Sequence, residues 1–172
     1  MPPPPSTPYR AVFLDRDGVL NRKREDYVKS VDELEVAPDA GRHLALLQQN
    51  GFMLVIVTNQ SAVNRGIIST AMLGRINATL LRELEESSGC RIDAIYVCPH
   101  RPDESCGCRK PMPGLLLQAA KDLKLDISGC WIIGDSDTDL EAGARAGCRG
   151  GIKLDASTDL ARAVAIILQE AS

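Results

Sequence analysis

The chain has 172 residues, of which 44% are hydrophobic and 25% are charged, and its formal net charge is −3 at pH 7. A chain of this length predicts one domain that buries a substantial core. The slightly acidic balance and the aromatic content of 3% argue against a protein that binds nucleic acid through bulk charge or base stacking.

The proline-rich start, residues 1–8, reads MPPPPSTP and predicts a disordered or polyproline-like lead-in to one domain over residues 9–172. It lacks the apolar segment of an export signal. No apolar run in the chain approaches the roughly 18 residues of a membrane span. We therefore expect a cytoplasmic monomer with no membrane partner and no nucleic-acid partner.

Apolar runs alternate with helical patterns along the chain. The apolar runs predict strands at residues 10–14, 53–58, 93–97, 131–133 and 148–154. Apolar residues at helical spacing predict helices over residues 38–50, 69–86, 113–125, 138–146 and 157–169. This alternation predicts an α/β fold, a Rossmann-like three-layer α/β/α sandwich around a mainly parallel sheet. The polar residues 19–37 predict a small hairpin or flap over the end of the first strand.

Side chains suited to phosphate chemistry follow the predicted strands. Asp15 and Asp17 come after the first strand, Thr58 ends the second, Lys110 lies in the loop after the third, and Asp135 follows the fourth. Parallel strands bring their carboxyl ends together, so these groups should converge. Acids can hold Mg²⁺, while a lysine and a hydroxyl neutralise phosphoryl oxygens. One acid can then act as a nucleophile and another as a general acid.

A cluster of possible zinc ligands lies in the loop after the third predicted strand. Cys98, His100, Cys106 and Cys108 supply three sulfurs and one imidazole, which is a complete tetrahedral zinc set. Four protein ligands leave no open position, so such a zinc ion would be structural. It would fix the loop that leads into Arg109 and Lys110. Reduced thiols in an ordinary loop are the alternative.

Four segments resemble the ordered motifs of the haloacid-dehalogenase superfamily. They are Phe13-Leu-Asp-Arg-Asp-Gly-Val-Leu20, Val57-Thr58-Asn59, Lys110-Pro111 and Gly134-Asp135-Ser-Asp-Thr-Asp139, and together they span residues about 11–140. The resemblance implies that Asp15 attacks phosphorus and forms an aspartyl-phosphate. It implies that Asp17 protonates the leaving oxygen and then activates the attacking water. The aspartate at position 17 resembles the phosphatases of the superfamily rather than its dehalogenases.

The same resemblance implies further roles at the site. Mg²⁺ would be held by the Asp15 carboxylate, the Asp17 backbone carbonyl and Asp135, while Thr58 and Lys110 would stabilise the transferring phosphoryl group. Arg16 is expected to contribute through its backbone near the phosphate. Asp139 could bind a metal-bound water, orient Lys110 or lie on a helix surface, and the sequence leaves these alternatives open.

The run Cys98-Pro-His100…Cys106-Gly-Cys108-Arg-Lys-Pro111 is similar to that of two phosphatase families. These are the D-glycero-D-manno-heptose 1,7-bisphosphate 7-phosphatases and the histidinol-phosphate phosphatases. The stretch Thr58-Asn-Gln-Ser-Ala-Val-Asn-Arg-Gly66 resembles the heptose form, although Ala62 stands where a glycine is common in both families. The spacing of the zinc ligands resembles the histidinol form at least as well. We favour the heptose form because the stretch 58–66 should touch substrate.

In the heptose interpretation the substrate is a small phosphorylated sugar, and Arg109 grips its distal part. The remaining substrate contacts are expected from Arg24, Glu25, Asp26, Tyr27, Asn59, Gln60, Ser61 and Arg65. For residues 24–27 a solvated charge run is an equal alternative. We expect no large cap domain, since no long insertion separates the motifs. A zinc-stabilised scaffold without turnover is the remaining alternative, and the complete catalytic set argues against it.

Overall fold

The computed structural model describes residues 8–172, so the predicted disordered start lies, except for Pro8, outside the described residues. The strands are β1 (Arg10–Leu14), β2 (Phe52–Asn59), β3 (Ala94–Cys98), β4 (Trp131–Gly134) and β5 (Gly150–Lys153). The α-helices are α1 (Ala40–Gln49), α2 (Thr70–Ser88), α3 (Gly114–Leu123), α4 (Asp137–Ala146) and α5 (Leu160–Glu170). Each predicted strand and helix is therefore present, with bounds shifted by a few residues.

The strands form one sheet in the order β3-β2-β1-β4-β5, and every pairing is parallel. β1 is central, because it pairs with β2 on one side and with β4 on the other. After β3 the chain returns to the opposite side of β1, so the strand order reverses between β1 and β4. In open α/β sheets such a reversal leaves a crevice at the carboxyl ends of the two strands, where ligands bind.

Two apolar cores cover the two faces of the sheet, and alternate residues of β1 enter one or the other. Val12 and Leu14 belong to the core made with α1, α2 and α5. Ala11 and Phe13 belong to the core made with α3 and α4. Both faces of the central strand are thus buried, which explains its unbroken apolar sequence. The predicted three-layer sandwich is confirmed.

Of the two alternatives predicted for the segment between β1 and α1, a small hairpin or a flap, the structure shows the flap. It holds isolated bridges, such as Asn21↔Val36, and one short 3-10 turn at Val31–Glu33, rather than paired strands. Its apolar side chains do not alternate along a strand. Instead Leu20 and Val28 are each buried, and their burial holds the segment against the rest of the molecule. The segment is a flap beside the carboxyl end of the sheet. No cap domain is inserted within residues 8–172.

None of the helices described in residues 8–172 has the length and apolar character required to cross a bilayer.

Candidate active site and metal centres

The crevice between β1 and β4 brings carboxylates together. Asp15 directly follows β1, and its amide donates to the Ile133 carbonyl of β4 at 3.1 Å, so parallel pairing continues to the carboxyl edge of the sheet. Asp135 directly follows β4. Carboxylate oxygens of Asp15, Asp135 and Asp139 lie within 4.8 Å of one another. This is the spacing that a shared divalent cation requires.

Asp135 has an oxygen left for a cation. Its Oδ1 atom is buried and has no hydrogen-bond partner among the described residues. Its Oδ2 atom accepts from Lys23 Nζ at 2.7 Å, so a positive charge already lies at this carboxylate. An unpaired buried carboxylate oxygen is costly unless a cation satisfies it. Asp15 and Asp135 therefore fit a Mg²⁺ ion, which prefers carboxylate oxygens.

The backbone approaches Asp135 closely at Gly18. Gly18 has φ +85°, and a Cβ atom at this position would lie 2.3 Å from Asp135 Oδ2. A glycine is therefore required both by the left-handed backbone and by the contact. Gly18, within the first motif, therefore lets the chain turn directly beside the carboxylates.

Lys110 reaches into the site from the loop after β3, and its side chain is buried. Its Nζ atom lies 3.1 Å from Asp15 Oδ1 and 2.5 Å from Asp139 Oδ1, and it donates to the Val57 carbonyl at 2.8 Å. The other oxygen of Asp139 accepts from the amide and hydroxyl of Ser136. Both oxygens of Asp139 are thus engaged, so Asp139 orients Lys110, and a surface position for Asp139 is ruled out by its burial.

Burial and neighbouring charges shift the pKa values of Asp15 and Lys110. Burial raises the pKa of the Asp15 carboxyl to about 7; the ammonium of Lys110 opposes this, and the charge of Asp139 adds to it. Burial would lower the pKa of Lys110, but the carboxylates of Asp15 and Asp139 outweigh it and the pKa is raised. Lys110 is therefore a cation beside the nucleophile candidate at neutral pH.

Asp17 is held by donors on both of its oxygens. Asn21 Nδ2 and Arg16 Nη2 donate to Oδ1 at 2.9 and 3.1 Å, and Gln60 Nε2 donates to Oδ2 at 2.7 Å. The same Gln60 nitrogen donates to Thr58 Oγ1 at 2.9 Å. These donors fix the orientation of the Asp17 carboxylate at the wall of the cavity.

The cysteine and histidine side chains of the loop after β3 converge. The distances from Cys98 Sγ are 3.1 Å to Cys108 Sγ, 3.8 Å to Cys106 Sγ and 3.3 Å to His100 Nδ1. All six cysteines of the chain are free thiols. Three sulfurs and one ring nitrogen at these separations surround a position that a tetrahedral zinc ion fits.

The cluster is connected to the two basic residues that follow it. The Arg109 amide donates to Cys106 Sγ at 3.3 Å, and its Nη1 donates to the His100 carbonyl at 3.1 Å. Asn59 then holds the next residue through two hydrogen bonds, one with the amide of Lys110 and one with its carbonyl, at 3.1 and 3.2 Å. The loop is therefore fixed at the cluster and at the end of β2.

These groups surround a cavity of about 630 Å³. The site residues predicted from the sequence that line it are Asp15, Asp17, Arg24, Glu25, Tyr27, Asn59, Gln60, Ser61, Arg65, Arg109, Lys110 and Asp135. Apart from the four possible zinc ligands, three of the predicted site residues are not among its lining. Arg16 and Thr58 are buried behind the wall, and the exposed carboxylate of Asp26 pairs with Lys29.

The family model of haloacid dehalogenase-like hydrolases matches residues 11–147. The chain belongs to the haloacid dehalogenase-like hydrolases. The match covers all four motifs and leaves only the ends of the chain outside it. The resemblance of the motifs is thereby confirmed.

Named relatives and a solved structure place this hydrolase within a narrower family. It is 42% identical to the D-glycero-beta-D-manno-heptose-1,7-bisphosphate 7-phosphatase of Bordetella bronchiseptica over 81% of this chain and 77% of the relative. The enzyme of the same name from Pseudomonas aeruginosa is also 42% identical, over 80% of this chain and 77% of the relative. A crystal structure of the B. bronchiseptica phosphatase with magnesium and phosphate superposes with a TM-score of 0.82 and 38% identity, covering 94% of this chain and 99% of that one. The predicted resemblance to the heptose bisphosphatase family is confirmed.

Sequence reasoning missed several residues of this hydrolase's site. Lys23 reaches Asp135, although it lies within a charge run where its position could not be distinguished from that of its neighbours. Asn77 accepts from Arg16 Nη1 at 3.0 Å and is buried on α2. A signal for Asn77 was present, because it lies on the apolar stripe of α2, four residues after Leu73, where a polar side chain needs a partner.

Proposed function

We propose that the chain hydrolyses the 7-phosphate of D-glycero-D-manno-heptose 1,7-bisphosphate through an aspartyl-phosphate. One observation carries the proposal: Asp15, the Lys110 ammonium 3.1 Å from it and Arg109 all face the same cavity. A nucleophile with an adjacent cation suits phosphoryl transfer, and a second basic group suits the distal end of a doubly phosphorylated sugar. The names and identities of the relatives support the same substrate.

In the first step Asp15 attacks phosphorus as the ester bond to the sugar oxygen breaks. The free Oδ2 atom of Asp15 is suited to this, because among the described residues Oδ1 is already occupied by the Arg16 amide and Lys110. Asp17 gives a proton to the departing sugar oxygen. Lys110 neutralises charge on the transferring group. The buried hydroxyl of Thr58 accepts from Gln60 Nε2, which also donates to Asp17, so Thr58 acts by holding Gln60 in place.

In the second step a water molecule attacks the phosphorus of the aspartyl-phosphate. Asp17, which is now deprotonated, takes a proton from that water, and the bond between phosphorus and Asp15 breaks. Inorganic phosphate leaves, and both aspartates return to their starting states. The net reaction consumes one water and releases one alcohol and one phosphate.

Mg²⁺ is the proposed catalytic cofactor, with ligands from the Asp15 and Asp135 carboxylates and the Asp17 backbone carbonyl. When bound it would supply positive charge that neutralises the phosphoryl oxygens and the acids. The Oδ1 atom of Asp135, which has no hydrogen-bond partner in the part of the chain that the structure describes, supports this assignment. Asp139 is left out of the ligand set because Lys110 and Ser136 occupy its oxygens.

Zinc is the proposed structural cofactor, with Cys98, His100, Cys106 and Cys108 as ligands. The convergence of the four ligand atoms supports it. A bound zinc ion would set the positions of Arg109 and Lys110, since Arg109 bonds to the backbone and sulfur of two of the ligands. A set of reduced thiolates suits a reducing compartment, which is the basis for proposing a cytoplasmic protein. We further propose that residues 9–172 act as one domain and as a monomer.

Substrate contacts beyond the phosphate are proposed for the flap and for the loop after β2. Arg24, Glu25 and Tyr27 would approach from the flap, and Ser61 and Arg65 from the loop. The Tyr27 hydroxyl lies 3.4 Å from Ser61 Oγ, so these two segments meet over the cavity. Asp26, which pairs with Lys29 in solvent, would support the flap rather than touch substrate.

The decisive experiment compares kcat/KM on heptose 1,7-bisphosphate with that on histidinol phosphate. We expect the heptose bisphosphate to be preferred by at least about 100-fold, because Arg109 and Arg65 then have a second phosphate to bind. Phosphorus NMR of the product should show that the phosphate on carbon 1 remains. A product that keeps the 7-phosphate, or equal turnover of the two substrates, would overturn the substrate assignment.

A further inference from the structure

A fully buried arginine lies between the two catalytic aspartates in sequence but outside the cavity in space. The Arg16 side chain is 1% exposed. Its guanidinium donates to Asp17 at 3.1 and 3.2 Å, to Gln60 Oε1 at 3.3 Å and to Asn77 Oδ1 at 3.0 Å. Burying a charged side chain costs on the order of several kcal/mol unless its partners compensate. A side chain this costly needs a role, and contact with substrate is not available to it.

The partners of Arg16 come from three segments. Asp17 belongs to the turn after β1, Gln60 to the loop after β2, and Asn77 to the interior of the 19-residue helix α2. Asn77 itself is buried, and it is 61 residues away from Arg16 in sequence. Asn77 on the long helix therefore holds the Arg16 guanidinium in place, and Arg16 in turn fixes the position of the Asp17 carboxylate.

We propose that Arg16, anchored by Asn77, is a positioning residue that sets the orientation of Asp17 for proton transfer to the leaving group. The proposal rests on the role of Asp17 in the proposed function. Asp17 faces the cavity with 23% of its side chain exposed, so without fixed donors it could turn toward solvent. Two of the hydrogen bonds to Asp17 come from Arg16. Gln60, which also donates to Asp17, accepts a hydrogen bond from the same guanidinium.

A positioning role for Asp17 makes a prediction that a merely structural role does not. Proton donation matters for a sugar leaving group, which departs as a poor alkoxide, and matters little for p-nitrophenyl phosphate, whose leaving group needs no proton. The ratio kcat/KM reports steps up to the release of the leaving group, so it isolates this proton transfer. Loss of stability or of active protein would lower kcat/KM equally on both substrates.

The test measures kcat/KM on a sugar phosphate and on p-nitrophenyl phosphate, with thermal unfolding of each variant. Asp17→Asn is the reference, and we expect it to lose at least about 100-fold on the sugar phosphate and much less on the aryl phosphate. Asn77→Ala should lose about 10-fold on the sugar phosphate and less than about twofold on the aryl phosphate, because Arg16 is released but remains present. Asn77→Asp keeps the acceptor and should recover most of that loss.

Thr79→Val is the matched control, because Thr79 is also buried on α2 but, within residues 8–172, its hydroxyl bonds only to the Arg75 carbonyl of its own helix. It should leave the ratio between the two substrates unchanged. If Asn77→Ala does not fold, Arg16→Lys supplies the test, since a lysine cannot reach all three partners at once. Equal losses on the two substrates in the Asn77 or Arg16 variants, with a selective loss in Asp17→Asn, would overturn the proposal. No selective loss in Asp17→Asn would instead overturn the acid role of Asp17.

Discussion

The carboxylates of Asp15 and Asp135 and the cysteine and histidine cluster around Cys98 offer a metal ion different surroundings. The cluster brings four ligand atoms together from the end of β3 and the loop after it, which is a complete tetrahedral set. The carboxylates directly follow two strands and face a cavity of about 630 Å³, and the Oδ1 atom of Asp135 has no partner among the described residues. A set of four ligands suits an ion that stays, whereas an open set suits an ion that shares its coordination sphere with substrate.

The difference also appears in the charges around the two sets. Two lysines, Lys23 and Lys110, already contact the carboxylates, at 2.7 and 3.1 Å. Arg109 is the basic residue beside the cluster, and it contacts backbone and sulfur atoms of the ligands. The carboxylate set therefore has two cations beside it, while the cluster holds in place a basic residue, Arg109, that lines the same cavity. Breaking each set should consequently have different effects on turnover and on stability.

Substitution of the nucleophile gives the largest expected effect on activity. Asp15→Asn should lower kcat by at least about 10⁴-fold, because an amide cannot form the aspartyl-phosphate. The thermal midpoint should not fall, since the buried carboxyl is already costly, with a pKa raised to about 7. Steady-state phosphate release and a thermal melt measure the two quantities. Residual turnover within tenfold of the wild type would refute the nucleophile assignment.

Removal of a cluster ligand should reverse this pattern, with stability affected first. Cys106→Ser should lose the zinc ion and lower the free energy of unfolding by at least about 4 kcal/mol, as expected for a lost structural metal. For a chain of this size that corresponds to a fall of about 8–16 °C in the thermal midpoint. Metal analysis should give one zinc per chain in the wild type. Cys148→Ser is a matched control, because Cys148 lies outside the cluster.

Mild chelation should distinguish the two sets without mutation. Excess EDTA applied briefly should stop turnover by removing Mg²⁺, and added Mg²⁺ should restore it fully while zinc stays bound. The accompanying change in the thermal midpoint should be only a few degrees. A weakly bound ion contributes little stabilisation when its concentration is about equal to its dissociation constant. Simultaneous loss of zinc and activity, with no recovery on Mg²⁺, would show that the sets do not differ in this way.

Substitution of the second lysine partner should affect stability and activity to a smaller, comparable extent. Asp139→Asn leaves the buried Lys110 ammonium with one carboxylate, and it should cost about 3 kcal/mol of folding free energy and about 10-fold in kcat. Asp137→Asn on the same helix is the control. Asp137 is 88% exposed and, among the described residues, pairs only with Lys153, so no measurable change is expected. Equal effects of the two substitutions would contradict the role of Asp139.

The smallest expected effect is that of Gly66→Ala, and its comparison with Gly18→Ala separates backbone strain from close contact beside the carboxylates. Gly18→Ala should cost about 3 kcal/mol and lower kcat, because its Cβ meets Asp135 as well as adopting a positive φ. Gly66 has φ +71° and open space around its Cβ position. Gly66→Ala should therefore cost only about 1 kcal/mol, from backbone strain alone. Urea unfolding of both variants measures the difference, and identical costs would remove the contact with Asp135 from the explanation.

The sequence sufficed for the features that depend on apolar patterning and motif order. The buried run before Asp15 and the alternation of strands with helices required the parallel sheet, and parallel strands brought Asp15 and Asp135 together. The converged atoms of Cys98, His100 and their two partners likewise followed from spacing.

The form of the flap could not be predicted in the same way. Its form depends on where single side chains such as Val28 are buried, and no periodic pattern records that. The side-chain partners were also beyond sequence reasoning. Nothing local distinguishes Lys23, which reaches Asp135, from Arg24, which pairs with Asp26 and Glu33. The buried direction of Arg16 depends on Asn77, which lies far away in the chain.

The two hydrogen bonds between Asn59 and the backbone of Lys110 have an evolutionary consequence. They hold the lysine independently of the residues between His100 and Cys106, where Pro102, Asp103 and Ser105 are exposed. Insertions and deletions at exposed loop tips are tolerated better than changes in fixed segments. Because Pro102 also lines the cavity, this loop can change its length and reshape the substrate-facing wall while the reacting groups stay in register.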